Sequence, residues 1–243
     1  VLLYNTWYFL LGIYFMINNI EHISKIILVN KPLDWTSFDV VKKIRGIIKK
    51  KYSIPKIKVG HSGTLDPKAS GLLVICTGKK TKMMTDFENL NKRYCGVIKI
   101  GCSTDSFDSE TKEKNKKKYT QLSLDKIYNV FQKFMGEQIQ LPPIYSAIKM
   151  EGERLYKKAR RGETDIKLKP RKIQIHQLSI KNINLPYIEF EVECSKGTYI
   201  RSLANDIGKE LLCGAYLYSL KRTQVGDFKL KQALEIEEIS NSI

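Results

Sequence analysis

The chain has 243 residues, 42% of them hydrophobic and 10% aromatic, with only 15 glycines and 7 prolines. These proportions exclude collagen-like, Pro/Gly-rich and wholly disordered chains and leave a globular protein long enough to bury a core. Forty-two Lys and Arg against 25 Asp and Glu give a net charge of +17, which points to a polyanion, nucleic acid first and an anionic membrane second. A genome rich in A and T would also raise lysine, so charge alone does not choose.

The stretch VLLYNTWYFLLGIYFMI that opens the chain is nearly uncharged. It is short for a membrane span and lacks the basic flank and small-residue cleavage site of a signal peptide. Residues 1–15 are therefore expected to be a hydrophobic extension outside the fold, which begins near Met16. A membrane anchor, the alternative, rests on this stretch alone. Ile26–Val29 reads as a buried strand. Thr36 and Asp39 form a capping-box pattern opening a helix whose Val40, Val41, Ile44, Ile47 and Ile48 share one face. Leu72–Cys76 reads as a fully buried strand and Tyr94–Ile100 as another.

From Thr104 to Thr120 the chain is polar and lysine-rich, which predicts a solvated loop, with contact to RNA as the sharper alternative. Ser123 should cap a helix carrying Leu124, Ile127, Val130, Phe131 and Phe134, stopped by Gly136. Residues 140–163 are too broken by Pro and Gly for one element. Their cations, Lys149, Arg154, Lys157, Lys158, Arg160 and Arg161, are interleaved with Tyr145 and Tyr156, a mixture suited to phosphates and unstacked bases. Ile188, Phe190, Val192 and Cys194 alternate with glutamates, which predicts a strand with one wet face. A helix over about Ile200–Leu212 follows. Together these elements predict an α/β (α+β) body with a mixed, largely antiparallel sheet flanked by helices.

Two stretches concentrate unusual chemistry. In GHSGTLDPKASGLL, residues 60–73, Asp66 sits in a loop with flexible glycines and a stiffening Pro67. It is a candidate nucleophile or base, and equally a turn aspartate bonding nearby amides. His61 could be a ligand, a base, a stacking group or a satisfied polar residue. In CSKGTYIRSLANDIG, residues 194–208, Arg201 lies at a helix N-terminus, against the dipole, so a negative partner is expected. That partner need be no more than an ordinary salt bridge or a surface phosphate. Walker, G-x-G-x-x-G, G-x-S-x-G and H-E-x-x-H motifs are missing, so nucleotide hydrolysis, dinucleotide redox, serine hydrolysis and zincin chemistry have no support. The five cysteines have no metal spacing and sit mostly in apolar runs, which predicts buried reduced thiols in a cytosolic protein.

Taken in order, ILVNKPLDWTSFDVV, GHSGTLDPKASGLLVICTGKKTK, KRYCGVIKIGCSTDSFD, QLPPIYSAIKMEGERLYKKARRGE, SKGTYIRSLANDIG and LKRTQVGDF resemble the tRNA pseudouridine-55 synthases of the TruB type. The resemblance spans nearly the whole chain after residue 24. It implies the pseudouridine-synthase fold over residues 16–243 and isomerisation of uridine 55 in the T-loop of tRNA, in the cytoplasm. No metal, organic cofactor or protein partner is implied, and a monomer is the default.

Carried over by position, Asp66 matches the essential aspartate, Arg201 the arginine that pairs with it, and Tyr94 the aromatic that packs on the target base. Tyr199 and Leu220 match positions lining the uridine pocket, Lys31 matches the first-motif lysine, and His61 matches the residue filling the space of the flipped nucleotide. Residues about 137–165 match a basic insertion that closes over the T-loop. Two departures stand out: Asp34 replaces a usual glycine, and the small C-terminal RNA-binding domain is expected to be missing. The alternatives are a catalytically idle tRNA-folding protein and a guide-dependent synthase acting on ribosomal RNA. Asp66, Tyr94 and Arg201 argue against the first, and the compact chain argues against the second.

Overall fold

The computed structural model describes residues 23–163, 166 and 168–243. The expected extension over residues 1–15, and the start near Met16, lie outside the described residues. No helix among the described residues is long and apolar enough to cross a membrane. The described chain forms two compact units.

The first unit takes the described residues up to Leu90 together with Gln224–Ile243. Strands β1 (Ile26–Lys31) and β2 (Val59–Ser62) both pair antiparallel with β3 (Ala69–Thr77), placing Lys31 opposite Gly71 and His61 opposite Ile75. The apolar run of β3 fills two cores by simple alternation. Leu73 and Ile75 join the cluster made by Val40, Val41, Ile44 and Ile48 of α1 (Ser37–Lys51), while Leu72, Val74 and Cys76 join Phe87 and Val225. Phe87 belongs to α2 (Met84–Asn89) and meets Phe228 edge-on, 5.4 Å between ring centroids. The C-terminal segment closes this unit. Leu234 forms a parallel bridge to Val29, and Ile236, Ile239 and Ile243 enter the α1 core.

The capping box at α1 forms as the sequence predicts. Thr36 Oγ1 accepts from the Asp39 N–H at 3.1 Å and Asp39 Oδ2 accepts from the Thr36 N–H at 2.9 Å. The Thr36 hydroxyl and N–H together hold the Asp39 carboxyl below the usual carboxylate range.

The second unit, Asn91–Thr223, is built on the strand order β10–β4–β9–β8–β5. Here β4 is Lys92–Ile100, β5 Gly136–Gln140, β8 Arg171–Asn184, β9 Tyr187–Cys194 and β10 begins at Ala215. The pairs β4–β9, β8–β9 and β5–β8 are antiparallel. In β9, Ile188, Phe190, Val192 and Cys194 are buried and the glutamates between them are not, as the alternation predicts. Helix α3 (Leu124–Lys133) is capped by Ser123, whose Oγ accepts from the Lys126 N–H at 3.2 Å. It ends before Gly136, which instead opens β5 with φ +85°. The helix bearing Arg201 runs over Ile200–Glu210 and buries Leu203 and Ile207. It stops earlier than the apolar periodicity suggests, because Leu212 adopts φ +64° and turns the chain away.

Within the insertion, the short strands Lys149–Met150 and Glu153–Arg154 form a hairpin followed by the helix Leu155–Arg160. Three of its cations sit in ion pairs: Lys158 with Glu151, Arg160 with Glu110, and Arg161 with Glu153 and Glu163. Arg160 also stacks its guanidinium 5.5 Å from the centre of the Tyr156 ring. The cysteines are unbridged, and burial pushes the Cys76 thiol up to about 11 and that of Cys194 up to about 12.

Candidate active site

In the first unit the loop after β2 carries Asp66, and its backbone is held from three sides. Ser37 Oγ, in the first turn of α1, accepts from the Leu65 N–H at 2.8 Å and donates to the Leu65 carbonyl at 3.0 Å. The Asp34 N–H donates to the Pro67 carbonyl at 2.8 Å, and the Ala69 N–H donates to that of Asp66 at 3.0 Å. The residues on both sides of Asp66 are thus fixed, while its own side chain is only half-buried. Gly63 turns the loop with φ +77°.

Lys31 is fully buried at the end of β1. Its ammonium donates to the carbonyls of Pro32 at 2.8 Å and Trp35 at 2.6 Å, so it wraps the turn that presents Asp34. Asp34 itself has φ +63°. That left-handed position is where glycine fits without penalty, and aspartate is among the few other residues that tolerate it. Its carboxylate meets Lys68 Nζ at 2.7 Å, tying the turn to the far side of the Asp66 loop. His61 lies on β2, five residues before Asp66, and is half-buried.

In the second unit, Tyr94 sits on β4 opposite Val192 and is buried. A Cβ placed on Gly96, two residues along the same face, would lie 3.2 Å from Leu220 Cδ1 and 2.7 Å from the Ser219 carbonyl. A side chain there would push Leu220 from its seat beside β4. Tyr199 is the N-cap residue of the Arg201 helix and provides no side-chain cap. Its backbone is gripped instead by Gln140, whose Oε1 accepts from the Tyr199 N–H at 2.8 Å and whose Nε2 donates to the carbonyl at 3.1 Å. Ser202 Oγ donates to the Leu141 carbonyl at 2.7 Å.

Arg201 is buried, 4% exposed. Its Nε lies 3.6 Å from Asp108 Oδ2 and its Nη1 donates to the Ser106 carbonyl at 3.2 Å. Asp108 is equally buried; its Oδ1 accepts from Ser106 Oγ at 2.6 Å and from the Glu110 N–H at 2.9 Å, and its carbonyl accepts from Thr104 Oγ1 at 2.7 Å. A carboxylate so placed offsets the unfavourable dipole position of Arg201.

This corrects the expectation of a solvated loop from Thr104 to Thr120. Its lysines are exposed, but Thr104, Ser106 and Asp108 are 2%, 0% and 3% exposed. Asp108 and Gln140 are the site residues that sequence reasoning missed. Both lie inside quoted motifs, STDSFD and QLPPIYSAIK. The Thr-x-Ser-x-Asp alternation ahead of the lysine run is the signal that could have marked one buried polar edge.

The family model described as "TruB family pseudouridylate synthase (N terminal domain)" matches residues 48–200, and that described as "tRNA pseudouridylate synthase B C-terminal domain" matches residues 201–243. The chain is 45% identical over 220 residues to "tRNA pseudouridine synthase B" of Chlorobium chlorochromatii (strain CaD3), covering 90% of this chain and 86% of that protein. It is 44% identical over 221 residues to the protein of the same description from Flavobacterium johnsoniae, covering 90% and 96%. Among solved structures, a chain of "Crystal Structure of a Cbf5-Nop10-Gar1 Complex" superposes with a TM-score of 0.69 at 28% identity. That match covers 91% of this chain and 56% of the other, so this chain spans little more than half its length.

Proposed function

This chain belongs to the TruB family of pseudouridylate synthases, and we propose on that premise that it converts uridine 55 in the T-loop of tRNA to pseudouridine. The observation that carries the reading is the pinned loop around Asp66. A nucleophile needs a fixed backbone, and the Leu65, Pro67 and Ala69 bonds give one to Asp66, a residue that is only half-buried.

In this reading Asp66 attacks the uridine, at the base or at C1′ of the ribose. The N1–C1′ bond breaks, the detached base rotates, a C5–C1′ bond forms, and the bond to Asp66 breaks to return the free carboxylate. C5 gives up its proton and N1 ends with one, so the reaction is an isomerisation with no net loss of atoms. Tyr94 packs on the base and assists that proton transfer. Arg201, held by Asp108 and the Ser106 carbonyl, takes the part of the family's arginine. Extrusion of the base costs a few kcal/mol, which His61 offsets by occupying the vacated stack. Tyr199 and Leu220 line the pocket, and Lys31 acts through the turn it holds. The exposed lysines serve phosphates of the T-arm, in a monomeric cytoplasmic enzyme. The tRNA reading is favoured over a guide-dependent one because the identity to a protein described as tRNA pseudouridine synthase B is 45%, against 28% to the chain of the Cbf5-Nop10-Gar1 complex.

The test is tritium release from a tRNA transcript labelled at uridine C5. About one tritium per tRNA is expected from the wild type and none from Asp66→Asn, with tRNA binding retained. Turnover by Asp66→Asn would refute the nucleophile. Binding without release by the wild type would point to a tRNA-folding role.

A further inference from the structure

We propose that Ser37 is a positioning residue for the reaction, acting on Asp66 through the backbone of Leu65. The inference rests on the reading of Asp66 as nucleophile and extends it to a residue 29 positions earlier in the chain.

Ser37 is the first residue of α1 and is 2% exposed. A serine there ordinarily turns its hydroxyl to water or to its own helix. This one is committed to another segment: its single oxygen accepts from the Leu65 N–H at 2.8 Å and donates to the Leu65 carbonyl at 3.0 Å. Leu65 is 3% exposed, so both backbone groups are shielded from water and depend on protein partners. The hydroxyl therefore does for Leu65 what a neighbouring strand does for a strand residue, at one point and without a sheet.

The helix cap and the Ser37 hydroxyl divide the labour. Capping of α1 belongs to Thr36 and Asp39, so Ser37 is not needed to start the helix. The helix is anchored by Val40, Val41, Ile44 and Ile48 in the core, which gives the Ser37 oxygen a rigid mount. Fixing Leu65 from that mount fixes the peptide leading into Asp66, while Pro67 limits the backbone after it. A displacement of about 1 Å at a reacting group can cost roughly a hundredfold in rate. Loss of the hydroxyl is expected to act on the chemical step more than on RNA binding, because the lysines that meet phosphates lie elsewhere.

The experiment compares Ser37→Ala and Ser37→Cys with Thr36→Ala in the full chain. Thr36→Ala removes the cap of the same helix, one residue away, and leaves the Leu65 bonds untouched. Each protein is assayed for tritium release from C5-labelled tRNA, for tRNA binding and for thermal unfolding, with rates taken well below every transition. Cysteine preserves volume with a weak hydrogen-bonding group, so it keeps the test decisive if the alanine variant does not fold.

The expected result is a drop in kcat of about tenfold to a hundredfold in the Ser37 variants, with KM and tRNA affinity within about twofold of wild type. Thr36→Ala should lower the melting temperature while keeping wild-type kcat. Ser37 variants with wild-type kcat, or a kcat that falls equally in Thr36→Ala, would overturn the proposal. A wild type that binds tRNA and releases no tritium would overturn the underlying functional reading, and the proposal with it.

Discussion

Gln140 and Tyr199 exchange two hydrogen bonds, the side-chain amide of one pairing with both the N–H and the carbonyl of the other. Gln140 is the last residue of β5, where the basic insertion begins, and Tyr199 is the N-cap of the helix carrying Arg201. One buried amide thus anchors the entry to that helix in place of a capping side chain.

Replacing Gln140 with Ala removes both bonds from the half-buried Tyr199 backbone. A fully buried group left without its partner costs about 1–3 kcal/mol, and these half-buried groups less, so a measurable fall in melting temperature is expected. Gln140→Glu keeps the acceptor and loses the donor, and should fall between the two. Thermal unfolding with single-turnover tritium release checks both the order and the accompanying loss of rate.

The Arg201–Asp108 pair differs from the surface pairs of the same unit. Lys172 and Glu137 approach to 3.3 Å but are largely exposed, and such pairs contribute about 0–1 kcal/mol. Arg201 and Asp108 are each 5% exposed at the side chain. Asp108→Ala should therefore destabilise by about 3–5 kcal/mol, the usual cost of removing one member of a buried pair. Asp108→Asn retains an acceptor for the Glu110 N–H and should cost less. Arg201→Lys replaces a planar fork with a point charge and should depress activity sharply. Near-normal turnover in that variant would remove Arg201 from the site.

Asp34 pays for its left-handed backbone with a carboxylate that meets Lys68. Asp34→Gly relieves the backbone and loses an exposed ion pair, two effects of opposite sign, and should stay within about 1 kcal/mol of wild type. Asp34→Val places a branched side chain at φ +63° and should destabilise by about 1–2 kcal/mol. Chemical denaturation of the three proteins tests this ordering.

Lys99, Glu113 and Tyr216 form a charged cluster with a defined pH window. Hydrogen bonds from Lys99 first and Tyr216 second hold the Glu113 carboxyl below its ordinary 4.5. The same carboxylate raises Lys99 above 10.5, and burial followed by the Glu113 bond raises Tyr216. A depressed acid contributes stability that is complete above its ordinary value and is lost as pH falls through the folded one. A raised base contributes stability that is complete below its ordinary value and is lost as pH rises through the folded one. The cluster's contribution should therefore be flat between 4.5, set by Glu113, and 10.0, set by Tyr216. The difference in melting temperature between wild type and Glu113→Gln should be constant from about pH 6 to 9 and shrink below about pH 4.

Features with a local period were legible in the sequence. The Ile188–Cys194 alternation, the unbroken Leu72–Cys76 run and the Thr36–Asp39 box each specify a face or a terminus through residues close in the chain, and the fold leaves them where they pointed. The ordered motifs likewise marked Asp66, Tyr94 and Arg201 as residues to follow. Tertiary structure decided which polar groups are buried. Thr104, Ser106 and Asp108 have the composition of a wet loop, and they become interior because a guanidinium almost a hundred residues later requires a carboxylate. Lys31 disappears into carbonyls of its own turn, Gln140 finds Tyr199 across 59 positions, and Ser37 finds Leu65 across 28. A side chain's hydrophobicity belongs to the residue and can be read from its neighbours. Satisfaction of a buried polar group belongs to a pair, and only the folded chain brings the second member into reach.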